Sequence, residues 1–359
     1  MKPTITGFRA RPVLAPLARP ITTAQVAINK APLILIDIET DQGITGRNYI
    51  FGYNPHALQA LSTFTNEWGE TLVGKPVAPY ERAQEAAQQF HLIGRSGLIG
   101  MALSGIDIAL WDAHAKAKDC TVAALFGAAE TDLPCYDSQG VFVPGRDEPL
   151  VEDTLARGFK AVKFKLGFET VAQDLEALKI IREMIGPDMP LMLDFNQTMT
   201  APEAIMRIKT FEDAGLDLTW IEEPVPAEDF AGYQSIRAAV STPLQSGENW
   251  WHPADAARAI QAGTTDFAMP DLMRIGGFTG WFRAAAVAEA ASIPVSSHLF
   301  IEASTHALAA TPNQHYLEYM DICGGLLAEP YQLENGTLRA RGPGLGIDWN
   351  EDAVTKHRA

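Results

Sequence analysis

The chain has 359 residues, of which 47% are hydrophobic and 20% are charged, and its 28 Lys and Arg against 44 Asp and Glu give a net charge of −16. This composition is typical of a packed globular protein and excludes a disordered or fibrous chain. Because the negative surface repels phosphate backbones and anionic lipid, we expect neither a nucleic-acid partner nor a membrane partner.

The sequence gives no sign of export. No apolar run approaches the roughly 20 residues that span a bilayer, and the first residues lack the basic start and apolar stretch of a secretory signal. The three cysteines, Cys120, Cys135 and Cys323, are too few and too far apart for a disulfide framework or a zinc site. We therefore expect a cytoplasmic protein with free thiols.

Residues 1–130 predict an α+β domain. The apolar run from Ala31 to Ile38 is typical of a strand. Further along, Ile99, Leu103 and Ile106 recur at helical spacing and predict an apolar stripe on one helix.

From residue 131 the pattern changes to strands that alternate with amphipathic helices, as in the helix predicted by Val171, Leu175 and Leu178. This alternation predicts a parallel βα barrel. An open doubly wound sheet is the alternative, but no strand leads into a Gly-x-Gly-x-x-Gly turn. The eight predicted strands are Leu133–Ser138, Lys160–Leu166, Met189–Asp194, Asp217–Glu223, Ser241–Ser246, Thr265–Pro270, Ser292–His298 and Gln314–Met320.

Three carboxylates lie at the ends of consecutive predicted strands: Asp194, Glu222 and Glu248. In a barrel they would converge, and two carboxylates about 4 Å apart repel by roughly 4 kcal/mol at an effective dielectric of about 20. An all-oxygen set suits Mg²⁺, with Mn²⁺ as a possible substitute. The alternative is that the three are solvated loop acids without a shared role. In that case an acid would have to follow each of three consecutive strands by chance.

Two lysines, Lys163 and Lys165, share one face of a predicted strand, while Val162, Phe164 and Leu166 share the other. If the lysines face the barrel interior, we expect their mutual repulsion and a nearby metal to lower their pKa values, as a general base requires. The alternative is an edge strand with a solvated lysine face.

Three further polar residues end the later strands. Asp271 is placed to accept a hydrogen bond from His298 on the next strand, which would fix the tautomer and raise the basicity of the imidazole. The alternative is a purely structural histidine. In an apolar setting Glu318 would have a raised pKa, stay protonated and donate a hydrogen bond.

These residues are suited to one reaction. A cation would hold a substrate carboxylate, and a lysine and a histidine would lie on opposite sides of the neighbouring carbon. Removal of the proton α to a carboxylate makes an enediolate, which needs positive charge and strong donors. One base on each face predicts inversion of configuration.

The motifs resemble the mandelate racemase/muconate lactonizing enzyme family of the enolase superfamily, over almost the whole chain. That resemblance implies an α/β fold with an N-terminal α+β capping domain (1–130), a modified TIM barrel of the (βα)7β type (131–320) and a C-terminal segment that returns to the cap (321–359). It also implies a homo-oligomer, often an octamer. The motifs are Lys163-Phe-Lys165, Asp194-Phe-Asn196, Trp220-Ile-Glu222-Glu223-Pro, Gly247-Glu248-Asn-Trp, Met269-Pro-Asp271, Ser296-Ser-His298-Leu-Phe and Glu318.

The same resemblance implies a role for each site residue. Lys165 is the base for the S enantiomer, and His298, oriented by Asp271, is the base for the R enantiomer. Glu318, assisted by Lys163, is the electrophile at the substrate carboxylate. The metal ligands are Asp194, Glu222 and Glu248, and the polar contacts to substrate or metal are Ser138 and Asn196.

The predicted specificity pocket is apolar and consists of Ile21, Ile28, Tyr53, Leu299 and Met320. Such a lining favours an aryl or unsaturated 2-hydroxy acid, similar to mandelate, over a sugar acid whose hydroxyls need partners. Gln25 adds an amide to this loop, and Arg274 replaces the lysine that the family usually has.

We therefore predict an isomerase, a Mg²⁺-dependent racemase of a small carboxylic acid. The first alternative is a lyase, an acid-sugar dehydratase that eliminates water with the same bases while His298 protonates the departing 3-hydroxyl. The second alternative is a barrel that holds a metal and a ligand without turnover.

Overall fold

A computed structural model describes residues 2–22 and 27–359, so Gln25 lies outside the described residues. The first third is an antiparallel sheet of strand order β1-β2-β3, covered by helices. The predicted strand at 31–38 lies in β2, and the predicted helix lies in α3. The strands are β1 (Ile5–Thr22), β2 (Ala27–Thr40) and β3 (Thr45–Phe51), and the helices are α1 (Leu58–Glu70), α2 (Pro79–Gln89), α3 (Gly97–Lys116) and α4 (Val122–Leu125).

Helix α3 packs directly on this sheet because two glycines allow a close approach. A Cβ atom on Gly105 of α3 would lie 2.5 Å from Cγ1 of Ile50, and one on Gly46 of β3 would lie 2.2 Å from the carbonyl oxygen of Ala109. Both distances are too short for a side chain, so α3 buries Ile36 and Ile50 completely.

The second part is a curled parallel sheet with strand order β10-β4-β5-β6-β7-β8-β9, surrounded by helices, which confirms the predicted modified TIM barrel. Its strands are β4 (Asp132–Val141), β5 (Val162–Lys165), β6 (Leu191–Asp194), β7 (Trp220–Glu222), β8 (Leu244–Ser246), β9 (Phe267–Ala268) and β10 (Leu317–Tyr319). Its helices are α5 (Glu148–Ala156), α6 (Val171–Ile185), α7 (Ala201–Asp213), α8 (Phe230–Ala239), α9 (Pro253–Gln261), α10 (Leu272–Ile275), α11 (Gly277–Ala290) and α12 (Ile301–Ala309).

The strand predicted at 292–298 forms only isolated bridges. Val295 bridges Ala268 of β9 on one side and Gln314 on the other, and His298 bridges Asp271. Pro294 has no backbone N–H to donate, and β9 is only two residues long, so a longer ladder cannot form. The segment nevertheless occupies the seventh position around the barrel, between β9 and β10.

The end of the chain returns to the first sheet. Strand β11 (Thr337–Arg339) pairs with β4, and helix α13 (Glu351–Lys356) follows. Arg11 on β1 makes a 2.6 Å ion pair with Glu351, and the N–H of Leu14 donates to the carbonyl of His357 at 2.9 Å. Among the described residues, no helix is long and apolar enough to cross a membrane.

The barrel strands separate apolar from polar side chains as alternation requires. Val162 and Phe164 of β5 belong to the buried layer between the sheet and its helices, together with Ile181 and Phe211. The lysines of the same strand face the interior, above a layer of buried large side chains that includes Trp220. The barrel therefore has an apolar floor and a polar upper end.

The contact between α3 and α11 predicts a pH dependence of stability. Asp107 accepts hydrogen bonds from the N–H of Thr279 at 3.0 Å and from its hydroxyl at 2.6 Å, and burial raises the pKa of Asp107 from 3.8 to about 7. The folded state therefore binds this proton more tightly than the unfolded state does. The free energy of unfolding falls as pH rises from 3.8 to about 7. Between pH 5 and pH 8 the expected loss from this group is about 3 kcal/mol.

The replacement Asp107→Asn keeps the shape and removes the titration. We expect the free energy of unfolding in urea to fall less steeply for Asp107→Asn than for the unchanged protein between pH 5 and pH 8. The difference between the two curves isolates Asp107, because Glu302, whose pKa burial also raises to about 7, is the same in both. Parallel curves would contradict the assignment.

Candidate active site

Three carboxylates converge at the upper end of the barrel. Asp194 ends β6, Glu222 ends β7 beside it in register, and Glu248 follows β8. One oxygen from each lies within 4.8 Å of the other two. Asp194 and Glu222 are buried, and the side chain of Glu248 is 13% exposed.

The electrostatics of this set fit a divalent cation. Burial raises the pKa of Glu222, Lys163 opposes this, and with the repulsion of Asp194 and Glu248 the pKa rises to about 8. A bound Mg²⁺ removes this repulsion, and three carboxylate oxygens are donors that it prefers. The residues present therefore fit the metal that the sequence predicts.

Lys163 lies inside the barrel and is paired with two acids. Its Nζ donates to Glu222 at 2.8 and 2.9 Å and lies 2.9 Å from Oε1 of Glu318. Burial lowers its pKa, but Glu222 and Glu318 outweigh burial and raise the pKa well above its ordinary value. The acids around Lys163 thus dominate over the second lysine, while the predicted decrease, which includes the charge of a bound metal, stays a prediction.

Lys165 lies closer to solvent on the same strand and is 8% exposed. Its Nζ donates to Oδ2 of Asp194 at 2.6 Å and to Oδ1 of Asn196 at 2.8 Å. Burial lowers the pKa of Lys165, but Asp194, a predicted ligand of Mg²⁺, more than compensates and raises it. The predicted decrease includes the charge of a bound metal and stays a prediction. Lys165 and Asn196 are thus placed at one flank of the three carboxylates.

His298 is held as the sequence predicts. Its Nδ1 lies 2.7 Å from Oδ2 of Asp271, and its Nε2 lies 3.2 Å from Glu248. Burial lowers its pKa, but Glu248 and the hydrogen bond to Asp271 outweigh burial and raise the pKa to about 9. Asp271 is itself fixed, because its Oδ1 accepts from the N–H of Met273 at 2.6 Å.

Glu318 differs from its predicted state. It accepts hydrogen bonds from the hydroxyl of Ser138 and from the N–H of Leu299, both at 2.8 Å, besides its ion pair with Lys163. Burial raises its pKa, but Lys163 and His298 outweigh burial and lower the pKa to about 2. The expected protonated acid is therefore wrong for this structure, because cations and donors, not apolar groups, surround Glu318.

The order of the strands distributes these side chains around the ring. The three carboxylates occupy one wall, on β6, on β7 and after β8. Ser138 on β4 and Glu318 on β10 occupy the facing wall. Lys165 on β5 and His298 in the bridged segment lie between the two walls, on different sides of the ring.

A cavity of about 280 Å³ opens beside Lys165 and is lined in part by Ser138, Ile21 and Met320. Ile28 pairs with Ile21 across the first sheet but does not line this cavity, and neither do Tyr53 and Leu299. The hydroxyl of Tyr53 instead lies 3.4 Å from Asp271. The cavity also has a polar part that the sequence interpretation missed, formed by Arg19, Gln139, Asp153, Arg157 and Asp321.

The polar part is anchored by a buried acid. Asp137 of β4 accepts from Arg19 of β1 at 2.8 Å and from Gln139 and Thr154 at 2.7 Å each. These contacts attach the end of β1 to the barrel. An acid within an otherwise apolar strand is the signal that could have identified this group, but its partner Arg19 is 118 residues away in the sequence.

A second missed group lies behind the three carboxylates. Arg274 donates to the carbonyl oxygen of Glu248 at 3.0 Å and to the side chain of Asn249. Asn249 in turn donates to both oxygens of Glu223, at 2.9 and 2.7 Å. Glu223 follows Glu222 directly, which is a signal in the sequence, but its contact with Asn249 depends on the fold.

Two family models match most of the chain. The model described as mandelate racemase/muconate lactonizing enzyme, N-terminal domain, matches residues 5–127, and the model described as enolase C-terminal domain-like matches residues 148–353.

Individual proteins are similar over nearly the full length. A structure of an enolase from Bradyrhizobium complexed with magnesium and mandelic acid has a TM-score of 0.97 and 44% identity, covering 100% of this chain and 99% of that one. D-galactarolactone cycloisomerase of Agrobacterium fabrum is 31% identical, covering 99% of this chain and 98% of the relative. L-talarate/galactarate dehydratase of Salmonella typhimurium is 29% identical, covering 94% of this chain and 87% of the relative. Similarity over nearly the full length thus extends to a structure with bound magnesium and mandelic acid and to proteins named as a cycloisomerase and a dehydratase.

Proposed function

Because the chain belongs to the mandelate racemase/muconate lactonizing enzyme family of the enolase superfamily, and is a Mg²⁺-dependent enzyme of that superfamily, we propose that it racemises a 2-hydroxy acid with an apolar, aryl or unsaturated side chain. The observation that supports this proposal is the placement of Lys165 and His298 on different sides of the ring, between the carboxylate wall and the Ser138–Glu318 wall. A mandelate-bound structure with 44% identity supports the substrate class.

In the proposed reaction Asp194, Glu222 and Glu248 hold Mg²⁺, which supplies positive charge to the substrate carboxylate when bound. Lys165 takes the α-proton from the S enantiomer at Nζ, and His298 returns a proton from Nε2 on the other face. For the R enantiomer the two residues exchange roles. Asp271 keeps Nδ1 of His298 occupied, so that only Nε2 reaches the substrate.

The charge that develops on the carboxylate as the α-proton leaves needs nearby donors. Ser138 faces that position from the wall opposite the three carboxylates, Lys163 lies between Glu222 and Glu318, and Asn196 lies beside Lys165. We propose that Glu318 acts there by holding Lys163 and Ser138 at the substrate, since it lies 2.9 Å from Nζ of Lys163 and accepts from the hydroxyl of Ser138 at 2.8 Å. We propose that Ile21 and Met320, which line the cavity beside Lys165, contact the apolar side chain of the substrate together with Ile28, Tyr53 and Leu299.

One observation favours the lyase alternative. The polar part of the cavity beside Lys165 could give partners to the hydroxyls of a sugar acid, and L-talarate/galactarate dehydratase is among the relatives. In that reaction one base removes the α-proton and His298 protonates the 3-hydroxyl as it departs as water.

Incubation in D₂O tests the proposal. Single enantiomers of mandelate and other 2-hydroxy acids, and a panel of sugar acids, are incubated with the enzyme and Mg²⁺. We expect deuterium at C2 and loss of optical rotation for an apolar 2-hydroxy acid, measured by NMR and polarimetry. A keto acid formed from a sugar acid would instead identify the dehydratase, and no change in any compound would leave only a ligand-binding barrel.

We further propose the division of the chain into a cap (1–130), a catalytic barrel (131–320) and a returning segment (321–359), and a cytoplasmic homo-oligomer. The return of residues 351–357 to β1 supports the last boundary. The 85% exposure of Leu92 and the 69% exposure of Ile93 support a contact between copies.

A further inference from the structure

A second cavity, of about 120 Å³, lies between the cap helices and the barrel. From the cap it is lined by Trp68 of α1, by Leu72 just after that helix, and by Leu103 of α3. From the barrel it is lined by Trp251 and Ile275. None of the proposed catalytic residues or metal ligands contributes to its wall. An enclosed apolar cavity of about 150 Å³ accommodates a benzene ring. This cavity is somewhat smaller but reaches the surface at the exposed Arg283, so a flat apolar group would enter it with its polar end at the mouth.

The polar groups around this cavity are predominantly cationic. Arg82, Arg95, Arg274 and Arg283 line it together with His252, and Asp107 is the only acid that the described part of the chain adds to the lining. Both oxygens of that acid already accept from Thr279. Four arginines around one cavity are conspicuous in a chain with a net charge of −16.

Two of these cations have no partner among residues 2–22 and 27–359. The side chain of Arg95 is partly buried and that of Arg283 is exposed, and neither makes a side-chain hydrogen bond or an ion pair there. The other two are already paired, since Arg82 lies 3.0 Å from Glu85 and Arg274 donates to the carbonyl oxygen of Glu248. The positive charge available to an external anion is therefore that of Arg95 and Arg283, at the mouth of the cavity.

The positive charge around the cavity also acts on the neighbouring side chains. Burial lowers the pKa of His252, and the positive charges of Arg95 and Arg283 lower it further. The guanidinium of Arg274 also lies over the rings of Tyr53 and Trp251, at 4.9 and 5.5 Å. An anion with an aromatic body would therefore meet opposite charge and flat apolar walls at the same place.

We propose that this cavity is a second binding site, for a small organic anion with a flat apolar body and one carboxylate, such as an aromatic carboxylic acid. The apolar body lies against Trp68, Trp251 and Leu103, and the carboxylate lies toward Arg95 and Arg283 at the mouth. Arg274 links this site to the catalytic one, because the same guanidinium donates to the backbone of Glu248.

Benzoate is the probe that tests the site. Phenylglyoxal modifies accessible arginines, and mass spectrometry measures the rate at each one. We expect saturating benzoate to slow the modification of Arg95 and Arg283 at least fivefold and to leave the exposed Arg358 unchanged. Protection at all arginines alike, or at none, would overturn the proposal.

Calorimetry provides a second measurement that does not depend on the catalytic reaction. We expect Arg95→Ala/Arg283→Ala to lose one benzoate site per chain, or at least tenfold in affinity there, while the control Arg339→Ala/Arg358→Ala keeps it. Leu103→Trp, which fills the cavity without changing its charge, should lose the same site. If all variants bind benzoate as the unchanged protein does, or if a second copy of the chain covers the cavity and no such site exists, the proposal is wrong.

Discussion

The variant Lys165→Ala is expected to stop proton removal from the S enantiomer while the R enantiomer still exchanges its α-proton with solvent. Nζ of Lys165 is the group proposed on one flank, and His298 with Asp271 remains intact on the other, held by a 2.7 Å hydrogen bond. General base catalysis contributes about 10²–10⁴-fold to rate, so exchange from the S enantiomer should fall by about 10³-fold. Net racemisation requires both bases and should fall equally in both directions.

The mirror variant is the control. His298→Asn should stop exchange from the R enantiomer and leave exchange from the S enantiomer near that of the unchanged enzyme. Both rates are measured by NMR as loss of the C2 proton signal in D₂O, starting from each pure enantiomer. If either variant lost exchange from both enantiomers to the same extent, the assignment of one base to each face would be refuted.

Removal of divalent metal is expected to abolish turnover. The positive charge that Mg²⁺ places beside the substrate carboxylate stabilises the transition state by several kcal/mol. Since about 1.4 kcal/mol corresponds to a tenfold change in rate, activity in EDTA should fall by about 10³-fold or more. Mg²⁺ should restore it. Because the cation binds only the folded set of carboxylates, Mg²⁺ at about 100 times its Kd should also add about 2.7 kcal/mol to the free energy of unfolding.

Two neighbouring carboxylates give a matched pair of variants. Glu248→Gln removes a ligand, and we expect the apparent affinity for Mg²⁺ to fall at least about 100-fold and the stabilisation by Mg²⁺ to disappear. Glu223→Gln should change little, because burial raises the pKa of Glu223 well above its ordinary value and Asn249 bonds its carboxyl. Equal loss in both variants would place the metal elsewhere.

The sequence predicted the fold and the three carboxylates because both follow from local patterns. Alternation of side chains along a strand places Lys163 and Lys165 inside and Phe164 outside, and the ends of parallel strands bring Asp194 and Glu222 together. The segment 292–298 was predicted as a full strand but forms only isolated bridges, because strand pairing depends on the neighbouring strand as well as on the segment itself. Here β9 is short and Pro294 has no N–H to donate.

The protonation states were harder to predict. The pKa of Glu318 and of the two lysines depends on which charges are nearest in space, and contacts such as Lys163 with Glu318 join strands that lie far apart in the sequence. For the same reason the polar part of the cavity could not be predicted from the sequence, since Arg19 and Asp137 become neighbours only in the folded chain.

The return of the chain end to β1 has a consequence for biosynthesis. Asp37 of β2 is buried and accepts from Trp349 at 2.8 Å, and Arg11 pairs with a residue 340 positions later. The first sheet therefore leaves the ribosome long before the residues that complete it are translated. Until then β1 lacks its partner at Val13 and Leu14, and an unpaired strand edge is a site where chains associate.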